Sequence, residues 1–234
     1  MTSLADLKND WEQLAERDAL WAILSDKRKE GGKWEIDEFM ATGVAEIDTV
    51  LRHLERIRYA PVPNGAVLDF GCGVGRLTQA LAPHFASCIG VDISEQMIQK
   101  ADALNGYAHC RYVVNTEAKL PFADATFAFI YSNIVLQHVP ARFAEGYLRE
   151  FVRVLAPGGV LVFGVQDSWA GAPPMMIRLR QIVRLRTRIK SALGLSAGNM
   201  QMNCLPEFAV RRAIGAAKVV DVQFTNSAAK VFNG

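Results

Sequence analysis

One short run constrains the fold more than any other: Val67-Leu68-Asp69-Phe70-Gly71-Cys72-Gly73-Val74-Gly75-Arg76-Leu77. An apolar strand candidate ends at Asp69-Phe70, three glycines alternate, and a helical pattern begins. Glycines in such a turn let backbone N–H groups approach a ligand, and the helix start adds positive potential. The spacing is G-x-G-x-G rather than the G-x-G-x-x-G of dinucleotide folds, which argues against a nicotinamide or flavin cofactor. A second signal is Gly90-Val91-Asp92-Ile93-Ser94. Asp92 falls at the expected end of the next strand, where a carboxylate suits the paired hydroxyls of a ribose. The plainer alternative is that Asp92 caps a helix starting near Glu95.

Short apolar runs and helical stretches alternate around these signals. Strands are expected at 66–70, 88–91, 112–114, 127–131 and 160–165, with helices at 76–85, 94–104 and 141–155. A further helix is expected at 206–217 and a strand at 219–224. Continuous apolar strands spaced by helices predict an α/β doubly wound, mostly parallel sheet covered on both faces. Residues 1–60 read as a helical extension: Trp11, Leu14, Leu20, Trp21 and Leu24 share one helical face, and a second pattern runs over 37–58. Gly31-Gly32 is expected to break the first helix. Pro61-Val62-Pro63-Asn64-Gly65 separates the extension from a domain over 61–234. A basic helical insertion at about 170–205 lies within that domain; residues 168–206 hold six Lys or Arg and no Asp or Glu.

With 50% hydrophobic and 21% charged residues, a chain of 234 can bury a sizeable core, which excludes whole-chain disorder. The net charge of +2 gives no general pull toward nucleic acid. Cys72, Cys88, Cys110 and Cys204 form no C-x-x-C pair, so neither a disulfide scaffold nor a metal site is expected. The start, Met1-Thr2-Ser3-Leu4-Ala5-Asp6, has no basic flank or apolar run and does not read as a signal peptide. No uninterrupted apolar window of about 18 residues suggests a membrane span. A cytoplasmic location is the expectation.

Five motifs in order resemble the class I S-adenosylmethionine-dependent methyltransferases, especially their small-molecule group. They are Val67–Leu77, Gly90–Ser94, Leu120-Pro121-Phe122 with Phe127, Ser132–Val139, and Arg153-Val154-Leu155-Ala156-Pro157-Gly158-Gly159. The resemblance implies a Rossmann-like sheet of seven strands, the last antiparallel, with only residues 228–232 left for that strand. It implies S-adenosyl-L-methionine as cofactor and S-adenosyl-L-homocysteine as product. It assigns Asp69, Gly71, Cys72 and Gly73 to the amino-acid end, and Asp92 to the ribose. Ile93 and Met97 would flank the adenine; both also suit plain helix–sheet core. Asn115, with Thr116 and Glu117, stands where the family usually has Asp, and its amide oxygen can still accept from the adenine amino group. Ser132 and Asn133 open the stretch that faces the transferable methyl. Ala128 is a second departure, where the family often has Asp. The Asn/Asp-Pro-Pro-aromatic signature of amino-group methylation is missing.

His138 is the candidate base, since histidine titrates near neutral pH; alternatively it only packs. Asp167, just past the fifth strand, is the second candidate. Trp34 and Phe39 are candidate substrate residues in a lid, or packing anchors. Arg180 and Arg184, in an i, i+4 row with Arg188, suit an anionic substrate, a membrane surface or a solvated face. The expected partner is a small-molecule acceptor, anionic in one reading, with a hydroxyl oxygen as the atom methylated. Two alternatives stay open: a larger anionic acceptor (lipid-linked sugar, polysaccharide or RNA), and a cofactor-binding module without catalysis.

Overall fold

The computed structural model describes residues 2–166 and 200–223. The expected insertion lies almost wholly outside them, as does the segment 228–232.

The chain opens with α1 (Leu4–Ile23). Ser3 and Asp6 close a reciprocal capping box at its start, which satisfies two backbone donors. Asp18 interrupts it with non-helical backbone (φ −164°, ψ 84°). Its side chain compensates: Oδ1 accepts the Trp21 N–H at 3.2 Å, and Oδ2 accepts those of Gly31 (3.0 Å) and Gly32 (2.7 Å). The two glycines therefore do not break the helix, as expected from sequence. They fold a later turn back onto its kink. The helix ends earlier, and a single 3-10 turn (Lys27–Lys29) capped by Asp26 follows.

Helix α2 (Ile36–Arg56) buries Phe39, Gly43, Ile47, Val50 and Leu54 along one face. Gly43 is mid-helix because α3 (Arg76–Leu81) lies against it: an added Cβ would stand 2.6 Å from the Arg76 carbonyl oxygen. Phe39, a candidate substrate residue, is fully buried in this packing and lies off the cavity described below. It is a core anchor, holding one edge of the Trp34 ring.

Five strands follow the expected order: β1 (Ala66–Phe70), β2 (Ser87–Asp92), β3 (Cys110–Val114), β4 (Phe127–Ser132) and β5 (Leu155–Phe163). All pairings are parallel and the spatial order is β3-β2-β1-β4-β5. The winding reverses between β1 and β4, and ligands of such sheets bind beyond the strand ends at that reversal. Period-two alternation divides the core. Leu68, Phe70 and Ile130 face α5 (Ala141–Val154) through Tyr147, Leu148 and Phe151. Val67, Phe129 and Tyr131 face α2 and α3. Each fully buried large side chain contributes about 1.5–3 kcal/mol. Helix α4 (Glu95–Leu104) connects β2 to β3, and α6 (Glu207–Ile214) packs on α5.

Arg153 ties two of the sequence motifs together. Its guanidinium donates to the Phe122 and Leu120 carbonyls and to Glu150 and Asp124.

The described residues hold five of the seven expected strands. Residues 219–223, expected to be a strand, are irregular. Their polar contacts go to the end of α2 and the turn after it: His53 Nε2 lies 2.6 Å from Asp221 Oδ2, and Lys218 donates to the Tyr59 hydroxyl. No described helix is long and apolar enough to cross a membrane.

Candidate active site

A cavity opens at the winding reversal, between the carboxyl ends of β1, β2 and β4. The glycine turn forms its floor. Gly71 and Cys72 both donate to the Val91 carbonyl, at 2.7 and 3.0 Å, which stitches the turn to β2. Gly71 (φ +77°) and Gly73 (φ +53°) adopt left-handed backbone that side chains resist. They also lack room: a Cβ on Gly71 would lie 2.3 Å from a Val135 methyl, and one on Gly73 2.5 Å from Ile23. Gly75 and Gly90 make way instead for the Tyr112 ring beneath the turn.

Asp92 closes the turn. Its Oδ2 accepts the Gly73 N–H and its Oδ1 the Ser94 N–H, each at 2.9 Å. Each oxygen keeps a further acceptor site, so the carboxylate can still take two hydroxyls. Burial raises its pKa, against the opposing pull of the N–H groups of Ser94, Gly73 and Ile93. It thus ties the turn to the start of α4 and also lines the cavity.

Ile93 and Met97 line the same wall, as does Asn115. The Asn115 amide donates to the Glu117 carbonyl at 2.9 Å, which leaves its side-chain oxygen as the acceptor. Thr116 and Glu117 are exposed and off the wall. Cys72 is on it, with a thiol pushed well up by burial and therefore uncharged.

Asp69 and Ser132 are near the cavity but do not line it. The Asp69 carboxylate turns to the opposite sheet face and accepts the Thr78 hydroxyl at 2.6 Å. Strand alternation explains this, since Phe70 takes the other face. Burial raises the Asp69 pKa to about 7. The Ser132 hydroxyl donates to the Phe70 carbonyl and joins β4 to β1. The next residue, Asn133, does reach the cavity.

His138 sits at the end of a 3-10 turn (Leu136–His138) on the cavity wall. Its Nδ1 lies 2.7 Å from the Gln201 carbonyl oxygen, so Nδ1 carries the proton and donates. Nε2 is then the acceptor, met at 3.3 Å by the Gln137 amide. Burial lowers its pKa, opposed by the Gln201 contact, so the ring is neutral at pH 7. Trp11 stands edge-on to it at 5.5 Å, and Leu7, Trp11, Ala22 and Ile23 of α1 roof the cavity.

Trp34 does not reach this cavity; its indole N–H donates to the Leu24 carbonyl. Asp167, Arg180 and Arg184 lie outside the described residues. The sequence reading missed Glu46 and Arg76. Glu46 held a usable signal, a carboxylate three residues after Gly43 on the inner face of α2. Among the described residues, no group of three or more His, Cys, Asp or Glu is arranged to hold a metal.

The wall offers a glycine cradle, a carboxylate for a diol, an amide acceptor beside apolar Ile93 and Met97, and a buried guanidinium whose Nε–H has no partner. That donor set fits an adenosine carrying an amino-acid tail.

Comparisons with known proteins agree with this geometry. Residues 68–163 match the methyltransferase domain family. The chain is 38% identical over 105 residues to 24-methylenesterol C-methyltransferase 2 of Oryza sativa subsp. japonica, covering 43% of this chain and 28% of that protein. It is 35% identical over 117 residues to trans-aconitate 2-methyltransferase of Variovorax paradoxus, covering 49% and 44%. The matches therefore span less than half of these two relatives. In fold, it is similar to magnesium protoporphyrin IX methyltransferase of Synechocystis PCC 6803 with bound SAH (TM-score 0.58, 19% identity, 89% of this chain and 86% of that one).

Proposed function

We propose, from the match of residues 68–163 to the methyltransferase domain family, that this protein is an S-adenosylmethionine-dependent methyltransferase which methylates a hydroxyl oxygen of an uncharged, largely apolar small molecule. The observation that carries this reading is His138. It is neutral, is fixed by Gln201 with its proton on Nδ1, and lies on the cavity wall with Nε2 3.3 Å from the Gln137 amide, a contact that an acceptor hydroxyl would replace.

S-adenosylmethionine supplies, when bound, a methyl group on a sulfonium ready for in-line displacement. The chain supplies position and proton handling. Asp92 holds the ribose, Asn115 the adenine edge, and the Gly71–Gly73 turn the tail. Leu7, Trp11, Ile134 and Val135 surround the acceptor side and exclude water. His138 Nε2 would exchange its Gln137 contact for the acceptor hydroxyl and take up its proton, and Nδ1, still bonded to Gln201, would steady the imidazolium. Alignment of this kind is worth about 7–11 kcal/mol, and a positioned base about 10²–10⁴-fold.

The absence of an uncompensated charge on the described wall favours an uncharged acceptor. Asp92 is bonded to backbone N–H groups, and Arg76 is paired with Glu46. The apolar acceptor named for the rice relative is consistent with this class.

The test is methyl-labelled S-adenosylmethionine offered with a panel of phenols, aliphatic alcohols, carboxylates and amines. We expect label on hydroxyl compounds, at least 100-fold less with His138→Gln. Label only on amines or carboxylates, or a His138→Gln variant as fast as wild type, would overturn the reading.

A further inference from the structure

Glu46 belongs to α2, outside the residues that match the methyltransferase family, yet it is the hub of the polar cluster beside the cavity. Its Oε1 accepts the Tyr131 hydroxyl and the Asn133 amide N–H, both at 2.8 Å. Its Oε2 accepts from the Arg76 guanidinium at 2.9 Å. Its side chain is 14% exposed and that of Arg76 4%. A largely buried carboxylate with three donors is held in place, and each donor is fixed in return.

The arrangement has consequences for two cavity residues. Asn133 must turn its NH₂ to a carboxylate, so its Oδ1 is left over, lying against Gly164. Arg76 uses one terminal nitrogen on Glu46 and the other on Thr42 Oγ1 at 3.2 Å. Its Nε–H is buried without a partner. Arg76 is also the one cation on the cavity wall among the described residues. The Nε is enclosed by protein, so the donors Arg76 can offer a ligand are the Nη–H groups beyond those used on Thr42 and Glu46. One acceptor and one cationic donor, beside the glycine turn and opposite Asp92, match an α-ammonium and an α-carboxylate.

We infer that Glu46 is a positioning residue which holds Arg76 to receive the cofactor's α-carboxylate and Asn133 Oδ1 to receive its α-ammonium. This rests on the cofactor reading above. The helical extension thereby selects the amino-acid end of the ligand, in addition to roofing the site.

The experiment is calorimetric titration of the full chain with S-adenosylhomocysteine and with 5′-methylthioadenosine, which keeps the thioether nucleoside but lacks the amino-acid end. Wild type should bind S-adenosylhomocysteine at least tenfold more tightly. Arg76→Met and Glu46→Gln should each lower that affinity on the order of 10–100-fold and leave methylthioadenosine within twofold. The double variant Glu46→Gln/Arg76→Met removes both buried charges together, so it should fold where a single variant fails, with the same loss of selectivity. In turnover, KM for S-adenosylmethionine should rise with kcat little changed. Equal weakening of both ligands, or no loss for either, overturns the inference and leaves the cofactor reading standing. Wild-type protein that binds neither ligand overturns that reading, and this inference with it.

Discussion

Glu12 and Ser94 stand 82 residues apart in the chain and are joined by a 2.9 Å hydrogen bond from the serine hydroxyl to the glutamate Oε2. The same carboxylate accepts the backbone N–H groups of Glu95 and Gln96, at 2.7 and 3.1 Å. A side chain from the roof helix α1 thus caps α4, whose first turn follows Asp92 directly. Lys8 and Glu95 add an exposed ion pair beside it. Ser94 also caps its own helix through Met97 and donates its N–H to Asp92. The roof and the Asp92 carboxylate therefore share a residue.

That linkage makes Glu12 a clasp on the roof. Glu12→Ala removes three hydrogen bonds at a helix start, a loss of about 1–2 kcal/mol. Dissociation of S-adenosylhomocysteine should speed up roughly 5–30-fold by that loss, measured by stopped-flow displacement. Asp18→Ala, which frees the kink from Gly31 and Gly32, should act in the same direction. Dissociation unchanged in both variants would mean that α1 does not gate the cavity.

The glycine turn gives a controlled steric prediction. Gly71 and Gly158 share the same left-handed φ, +77° and +76°, but only Gly71 is crowded. Its added Cβ meets Val135 at 2.3 Å, whereas nothing stands within 4 Å of one on Gly158. Gly158→Ala should cost about 1 kcal/mol through backbone strain alone. Gly71→Ala should cost a further 1–3 kcal/mol or so through overpacking, and Val135→Ala should restore part of it. Urea midpoints of the three variants check the ordering; equal losses at both glycines would contradict it.

The same comparison shows what the sequence carries and what it hides. The places of Gly71, Gly73 and Asp92 on the cavity wall were legible because they follow from local backbone geometry and strand order. The five parallel strands were legible for the same reason, being continuous apolar runs bounded by glycine and by helical periodicity. Asp69 was misread as a cavity residue because spacing locates a residue at a strand end but not its face. Phe70 takes the cavity face and sends Asp69 to Thr78. Trp34 and Phe39 read from sequence as lid aromatics or as packing anchors, and their placement off the cavity is that of anchors. Glu46 and Glu12 escaped because their partners, Asn133 and Ser94, are 87 and 82 residues away. Polar contacts at that separation leave no periodic trace.

Asp69 should leave a signature in the pH dependence of stability. Its ordinary pKa of 3.8 is raised to about 7 in the folded chain, chiefly by burial. Between those values the folded state holds a proton that the unfolded state has lost. This group therefore favours folding most at low pH, and the contribution drains away as pH rises from about 4 to about 7. Asp69→Asn keeps an oxygen acceptor for Thr78 and cannot ionise. Relative to wild type it should gain stability steadily across that window, on the order of 4 kcal/mol in all, and level off above it. A stability difference that stays flat between pH 4 and 7 would show that Asp69 remains ionised in the fold.

His138 supplies the last test, in the pH dependence of rate. Burial lowers its pKa below the ordinary 6.5, so the neutral form that accepts a proton prevails at pH 6.5 and above. For hydroxyl methylation, kcat/KM should be flat above pH 7 and fall below pH 6.5, as Nε2 becomes protonated. Removing the Trp11 ring, which covers one edge of the imidazole, lets water in and relieves part of the burial. Trp11→Ala should therefore move the acid limb upward, toward 6.5, with a lower plateau. His138→Gln should abolish the limb along with most of the rate, while S-adenosylhomocysteine affinity changes little, because in the proposed arrangement Asp92 and Asn115 hold the nucleoside. An acid limb that survives His138→Gln at the same pH would assign the titration, and the base, to another group.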